Sequence, residues 1–177
     1  MIASGQSPWH TRAELKMLRD QLLHARSCLP NELQSSSQNL TFRATTSSFT
    51  TFVMLHAHWH QILCDLYRFL VPGTRESVSP EAFAATPPAY IDCCQQLCLQ
   101  SAQDGLDLFV RVYDLAERKQ INDSFFDVIA FQYAQVLTAG VTLASGPSVS
   151  TLCLQLQKVC TLIQQSEGSS VIMRNCV

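Results

Sequence analysis

His56, His60 and Cys64 stand four residues apart, so on a helix each drifts only ~40° around the axis from the last. A histidine pair at that spacing can chelate a soft divalent ion, and a thiolate would supply a third ligand. The metalloprotease pattern puts a glutamate directly after the first histidine, whereas Ala57 follows His56. A di-iron bundle needs Glu-x-x-His, which occurs nowhere in the chain. The competing expectation is a core helix whose imidazole rings bond to neighbouring groups, with His58 turned away toward the surface. On that reading the chain holds no metal site.

Cys94 and Cys98 also share a helical face, with Cys93 beside them. Zinc would need deprotonated thiols and two further converging ligands. A redox sensor would need exposure and a lowered pKa, and no basic residue flanks these cysteines. Cysteine on an apolar stripe behaves as a small hydrophobe, and packing is the expected role. Asp65 and Arg68, one turn apart, form either a surface pair of little energetic value or a half-buried pair bridging helices. No Gly-rich phosphate loop or Gly-x-Ser-x-Gly elbow is present, and no Ser, His and Asp set stands out. The expectation is that the chain is not an enzyme.

The elements that would position these residues all carry helical period, and no stretch alternates like a strand over more than a few residues. Ser7-Pro8 reads as a cap with proline at the first helical position, opening a helix to about Ser27 that buries Leu15, Leu18 and Leu22. Asn31 to Thr46 reads as a polar loop with one helical turn at Glu32-Leu33-Gln34. A second helix begins between Thr46 and Phe49 and runs to Leu70, stopped by Pro72-Gly73. Its stripe is Phe52, Leu55 or His56, Trp59, Ile62, Leu63, Leu66 and Phe69, the densest apolar run in the chain. Residues 71–86 form a long surface connection. Pro87-Pro88 opens a third helix on Ile91, Cys94, Cys98, Ala102, Gly105, Phe109, Val112 and Leu115, reaching about Lys119. Its outer side offers Asp107 with Arg111 and Asp114 with Arg118 at four-residue spacing. Asn122 or Asp123 caps a fourth helix through Phe126, Ile129, Tyr133, Val136, Leu137 and Leu143, with Gly140 admitting a close neighbour. After Gly146-Pro147, Ser148 caps a fifth through Leu152, Leu156, Val159 and Ile163. The expected fold is all-α: about five helices in an irregular antiparallel bundle, one domain over 1–167 with a disordered tail at 168–177.

Composition narrows the function. Hydrophobic residues make up 47% and charged residues 15%, so an apolar face is expected to meet a partner, and an isolated chain is expected to self-associate. No apolar run reaches the ~20 residues of a membrane span. The N-terminus has neither the basic start nor the apolar core of a signal peptide. The eight cysteines fall mostly in apolar helical patterns, as in an intracellular protein, and the sequons at Asn39 and Asn122 are chance matches on that reading. Twelve basic residues are scattered among 14 acidic ones, which leaves no electrostatic footprint for nucleic acid.

The run Leu55 with His60-Gln61-x-x-Cys64-Asp65-Leu66-Tyr67-Arg68 and Pro72-Gly73 resembles the central helix and exit turn of the middle regulatory domain of fungal binuclear zinc-cluster transcription factors. Leu29-Pro30-Asn31-Glu32-Leu33-Gln34 with Asn39-Leu40 resembles the linker before it. Pro88-x-Tyr90-x-x-x-Cys94-x-x-x-Cys98-x-x-x-Ala102 resembles the helix after it, so the likeness covers about Leu29 to Leu115. The six-cysteine DNA-binding module of that family is absent, and no Cys-x-x-Cys occurs. The resemblance implies the C-terminal portion of a regulatory domain in a nuclear protein. Zinc would be held only by the missing module of full-length relatives, with no cofactor in this chain. Its partners would be transcription factor subunits or coregulators, and a small-molecule effector, with no direct DNA contact and no membrane. An effector would sit between helices, lined by His56, Trp59, His60, Leu63, Tyr133 and Leu137. The other readings are a small helical metal- or haem-binding protein using His56 and His60, or a dimerisation module that does not bind DNA.

Overall fold

The computed structural model describes residues 7–115, 123, 125–143 and 146–165. Over these residues the chain is all-helical, with seven α-helices and three short 3-10 turns. The helices are α1 (Arg12–Ser27), α2 (Ser37–Arg43), α3 (Phe49–Asp65), α4 (Pro80–Ala84), α5 (Pro88–Leu115), α6 (Phe126–Gly140) and α7 (Val149–Gln165). The two beyond the expected five are short. α2 forms inside the polar segment after Leu29, capped by the Ser36 hydroxyl on the Asn39 N–H, and α4 forms inside the 71–86 connection, capped by Ser79 with Pro80 at its first position. The tail expected at 168–177 lies outside the described residues, as does Arg118.

α5 is the axis around which the others pack. α3 lies antiparallel to it: Cys64 meets Cys98, and the Gln95 amide reaches back to the Leu70 carbonyl. α6 runs antiparallel along another face, with Gly140 beside Leu99, Gly105 beside Tyr133 and Phe126 against Phe109. α7 follows α5 in the same direction through Gln155 to Gln103 and Asp107, and Lys158 to Asp114. The stripe expected on α5 is the buried one from Ile91 to Val112, with Leu115 left exposed.

On α3 the expected stripe is buried at Phe52, His56 and Leu63, but the inward face is broader on one side and excludes part of that stripe. Val53, His56, Ala57, His60 and Cys64 are buried, while Leu55 and Ile62 are exposed and Trp59 is half-buried. The small Ala57 lets α6 close over the helix, where the Tyr133 hydroxyl donates to the Ala57 carbonyl. That contact needs the Ala57–Cys64 side inward and leaves the larger Leu55 and Ile62 outside. α3 itself ends at Asp65; a 3-10 turn at Arg68–Leu70 follows, and Gly73 takes the left-handed conformation (φ 84°) that redirects the chain. α1 follows a 3-10 turn at Pro8–Thr11 and buries no residue completely: Leu15 is partly covered, Leu22 half-buried and Leu18 exposed. It lies on the surface of the bundle, which corrects the expectation for Leu18.

Candidate functional site

His56, His60 and Cys64 stack on one face of α3, as their spacing requires, but each turns to a different partner. The His56 Nε2–H donates to the Leu33 carbonyl at 3.0 Å, and its ring meets Phe52 edge-on with centroids 4.7 Å apart. The Cys64 sulfur faces that of Cys98 at 3.4 Å in the α3–α5 seam. His60 is buried, and its Nδ1 has no hydrogen-bond partner. Burial, with the nearby charge of Arg26 and then His56 and Arg111, lowers the His60 pKa to about 4. Burial lowers that of His56 as well. Both rings are therefore neutral at physiological pH. Among the described residues no three His, Cys, Asp or Glu side chains group so as to hold a metal ion.

His60 opens instead onto a cleft of about 410 Å³. α1 contributes Arg26 to its wall, the segment before α2 contributes Ser35, and α5 contributes Asp104, Asp107, Val110 and Arg111. The carboxylates are fixed from one side: Gln100 donates to Oδ1 of Asp104, and Gln103 and Gln155 both donate to Oδ1 of Asp107. Asp107 and Arg111 do not form the expected side-chain pair; the Arg111 Nε–H donates to the Asp107 backbone carbonyl at 3.4 Å. Among the described residues, neither Arg26 nor Arg111 is in an ion pair. Ser35, His60 and two aspartates thus line one opening, a convergence the sequence alone does not reveal. A hydrolytic relay requires the histidine to be hydrogen-bonded to both nucleophile and carboxylate. Neither bond is formed here.

Of the other expected pocket residues, Tyr133 and Leu137 are completely buried, Leu63 is buried and Trp59 is half-buried with an unpartnered Nε1. Leu137 borders a different cleft, about 490 Å³, formed over α5 with Leu99, Gln100 and Pro147. Neither of these two clefts is lined by more than one of the six residues. His60 alone reaches the charged cleft, and Tyr133 fills the core between α3, α5 and α6. The residues missed, Arg26, Ser35, Asp104, Asp107, Val110 and Arg111, carry one legible signal: Asp104, Asp107 and Arg111 follow each other by three and four on α5.

Asp65 and Arg68 are paired at 3.3 Å, and Arg68 also reaches Glu76 at 3.2 Å. This triad ties the 71–86 connection to the end of α3 rather than joining two helices. His58 lies at the surface with its ring 6.2 Å from that of Phe125. No helix among the described residues is long and apolar enough to cross a membrane.

No protein-family model, curated protein or solved structure matches this chain.

Proposed function

We propose that the chain is an effector-responsive regulatory portion of a fungal transcription factor, acting through ligand or partner binding in the nucleus rather than by touching DNA or catalysing a reaction. One observation carries the reading: the helix with the strongest family-like sequence, α3, forms a wall of a charged, ligand-sized cleft and presents a buried, unpartnered imidazole nitrogen beside it. Ser35, His60, Asp104, Asp107 and Arg111 all fall within the stretch from Leu29 to Leu115 that bears the resemblance. Clefts between helices are where bundles take small molecules, and a few converging polar groups in one set orientation and specificity. The scattered basic residues and formal charge of −2 support a role without direct DNA contact.

The test is a tethered reporter. Fused to a heterologous DNA-binding domain in fungal cells, the chain is expected to raise or lower transcription relative to that domain alone. Output equal to the unfused domain, at equal protein abundance, would remove the regulatory reading.

A further inference from the structure

The lining of the His60 cleft carries both signs of charge, two arginines and two aspartates, and that combination specifies a ligand. Arg26 and Arg111 line the cleft with the His60 ring, and the charge of each adds to burial in holding that ring neutral. Two guanidinium groups that form no ion pair among the described residues, next to a neutral imidazole, offer a site for an anionic group, with arginine's planar fork suited to a carboxylate. Asp104 and Asp107 line the same opening; Oδ1 of Asp104 accepts from Gln100 of α5, and Oδ1 of Asp107 from Gln103 of α5 and Gln155 of α7. Among the described residues no hydrogen bond occupies the second oxygen of either carboxylate, which leaves it as an acceptor for a cationic group. A simple dianion would be repelled by these two carboxylates, and a simple cation by the two arginines. A molecule carrying both charges satisfies the whole lining.

We infer that the cleft binds a small zwitterion of the free amino acid class, its carboxylate held by Arg26, Arg111 and His60 and its ammonium by Asp104 and Asp107. Val110 gives the wall an apolar surface against which a side chain can rest. The buried His60 Nδ1 fits this assignment, because an orphaned polar atom costs free energy that a bound ligand or the water it orders can recover. The inference rests on the effector-responsive reading above and names the class of effector.

The experiment uses the full purified chain with the standard free amino acids, screened by thermal shift and followed by calorimetry on those that stabilise. At least one free amino acid is expected to bind at millimolar concentration or below. Its N-acetyl and carboxamide derivatives, each lacking one charge, are expected to bind at least about tenfold more weakly. Arg111→Gln and Asp104→Asn are each expected to weaken the free amino acid by a similar factor. Three results would overturn the proposal: no stabilisation by any amino acid, blocked derivatives binding as well as the free form, or inorganic phosphate binding as tightly as the amino acid. The blocked derivatives are tested on the unaltered protein, so the outcome does not depend on any variant folding. A failure here leaves the reporter result standing, and a silent reporter leaves the binding result standing.

Discussion

The ring of Tyr133 occupies the space that a Cβ on residue 105 would need, so Gly105 is the point at which α6 sits down on α5. From there the Tyr133 hydroxyl crosses to the Ala57 carbonyl on α3, joining three helices through one side chain. Replacing Gly105 with Ala must push against the ring carbons of Tyr133, and Tyr133 is completely buried with no room to swing away. Gly105→Ala is expected to destabilise the domain by about 1–3 kcal/mol, the range for overpacking a core. Tyr133→Phe, which keeps the ring and loses the hydrogen bond, is expected to cost about 1 kcal/mol. Urea titrations of both variants check the order; a neutral Gly105→Ala would show that the α5–α6 seam is looser than described.

How far this seam was legible follows from particular residues. Gly105 and Gly140 stand out in apolar helical stripes because only a close neighbour makes glycine useful there. The stripes of α5, α6 and α7 are also readable, since each helix faces the core along one regular face. The inward face of α3 was not. Its apolar residues encircle it, and the choice between Leu55 and His56 depends on Tyr133, which bonds to Ala57 from 76 residues further along the chain. α2 and α4 escaped notice for another reason: each is too short for a 3.6-residue period to show, and only its serine cap marks it. The charged cleft was legible only in its α5 portion, because Arg26 and Ser35 come to it from surface segments with no periodic signal.

The stability of the domain is expected to fall with acidification through the histidines. The pKa of His60 is lowered from 6.5 in the unfolded chain to about 4 in the folded one, so the unfolded state takes up the proton first. Its contribution is fully present above pH 6.5 and is lost as the pH drops toward 4. The full loss is on the order of 3 kcal/mol, with His56 acting in the same direction. Asp65, whose carboxyl is pushed upward by burial, opposes this in part. Urea midpoints measured across this window should decline, and less steeply in a His60→Gln variant. A flat profile would mean that the His60 ring takes up its proton as readily in the folded protein as in the unfolded chain.

Thiol reactivity separates the described cysteines into two groups. Cys28, Cys93, Cys153 and Cys160 are exposed, whereas Cys64, Cys94 and Cys98 are buried. Burial raises the Cys94 pKa to about 11, and that of Cys98 is raised by its contact with the Cys64 sulfur together with burial. Brief alkylation of the native chain, read by site-resolved mass spectrometry, is expected to modify the first group and spare the second until denaturant is added. Rapid native labelling of Cys98 would contradict the α3–α5 seam.

Leu55 and Ile62 share the outer face of α3 with His58, against which Phe125 rests, and all three apolar side chains are exposed. Apolar surface gathered in this way favours association. The purified chain is expected to self-associate with rising concentration in light scattering. Ile62→Glu should reduce this while changing stability by no more than about 0.5 kcal/mol, as for other surface positions. An unaltered chain that stays monomeric at high concentration would exclude this face as a contact surface.

Regulation exerted at the His60 cleft is tested most directly by comparing the tethered reporter for the unaltered chain and for Arg111→Gln. Arg111 is half-buried at the cleft wall, outside the apolar seams, and its loss leaves the α3–α5–α6 core intact. Arg111→Gln is expected to shift reporter output away from that of the unaltered chain at equal abundance and unchanged thermal stability. Identical output from the two fusions, with the unaltered chain itself active, would contradict it and place the regulatory surface elsewhere on the bundle.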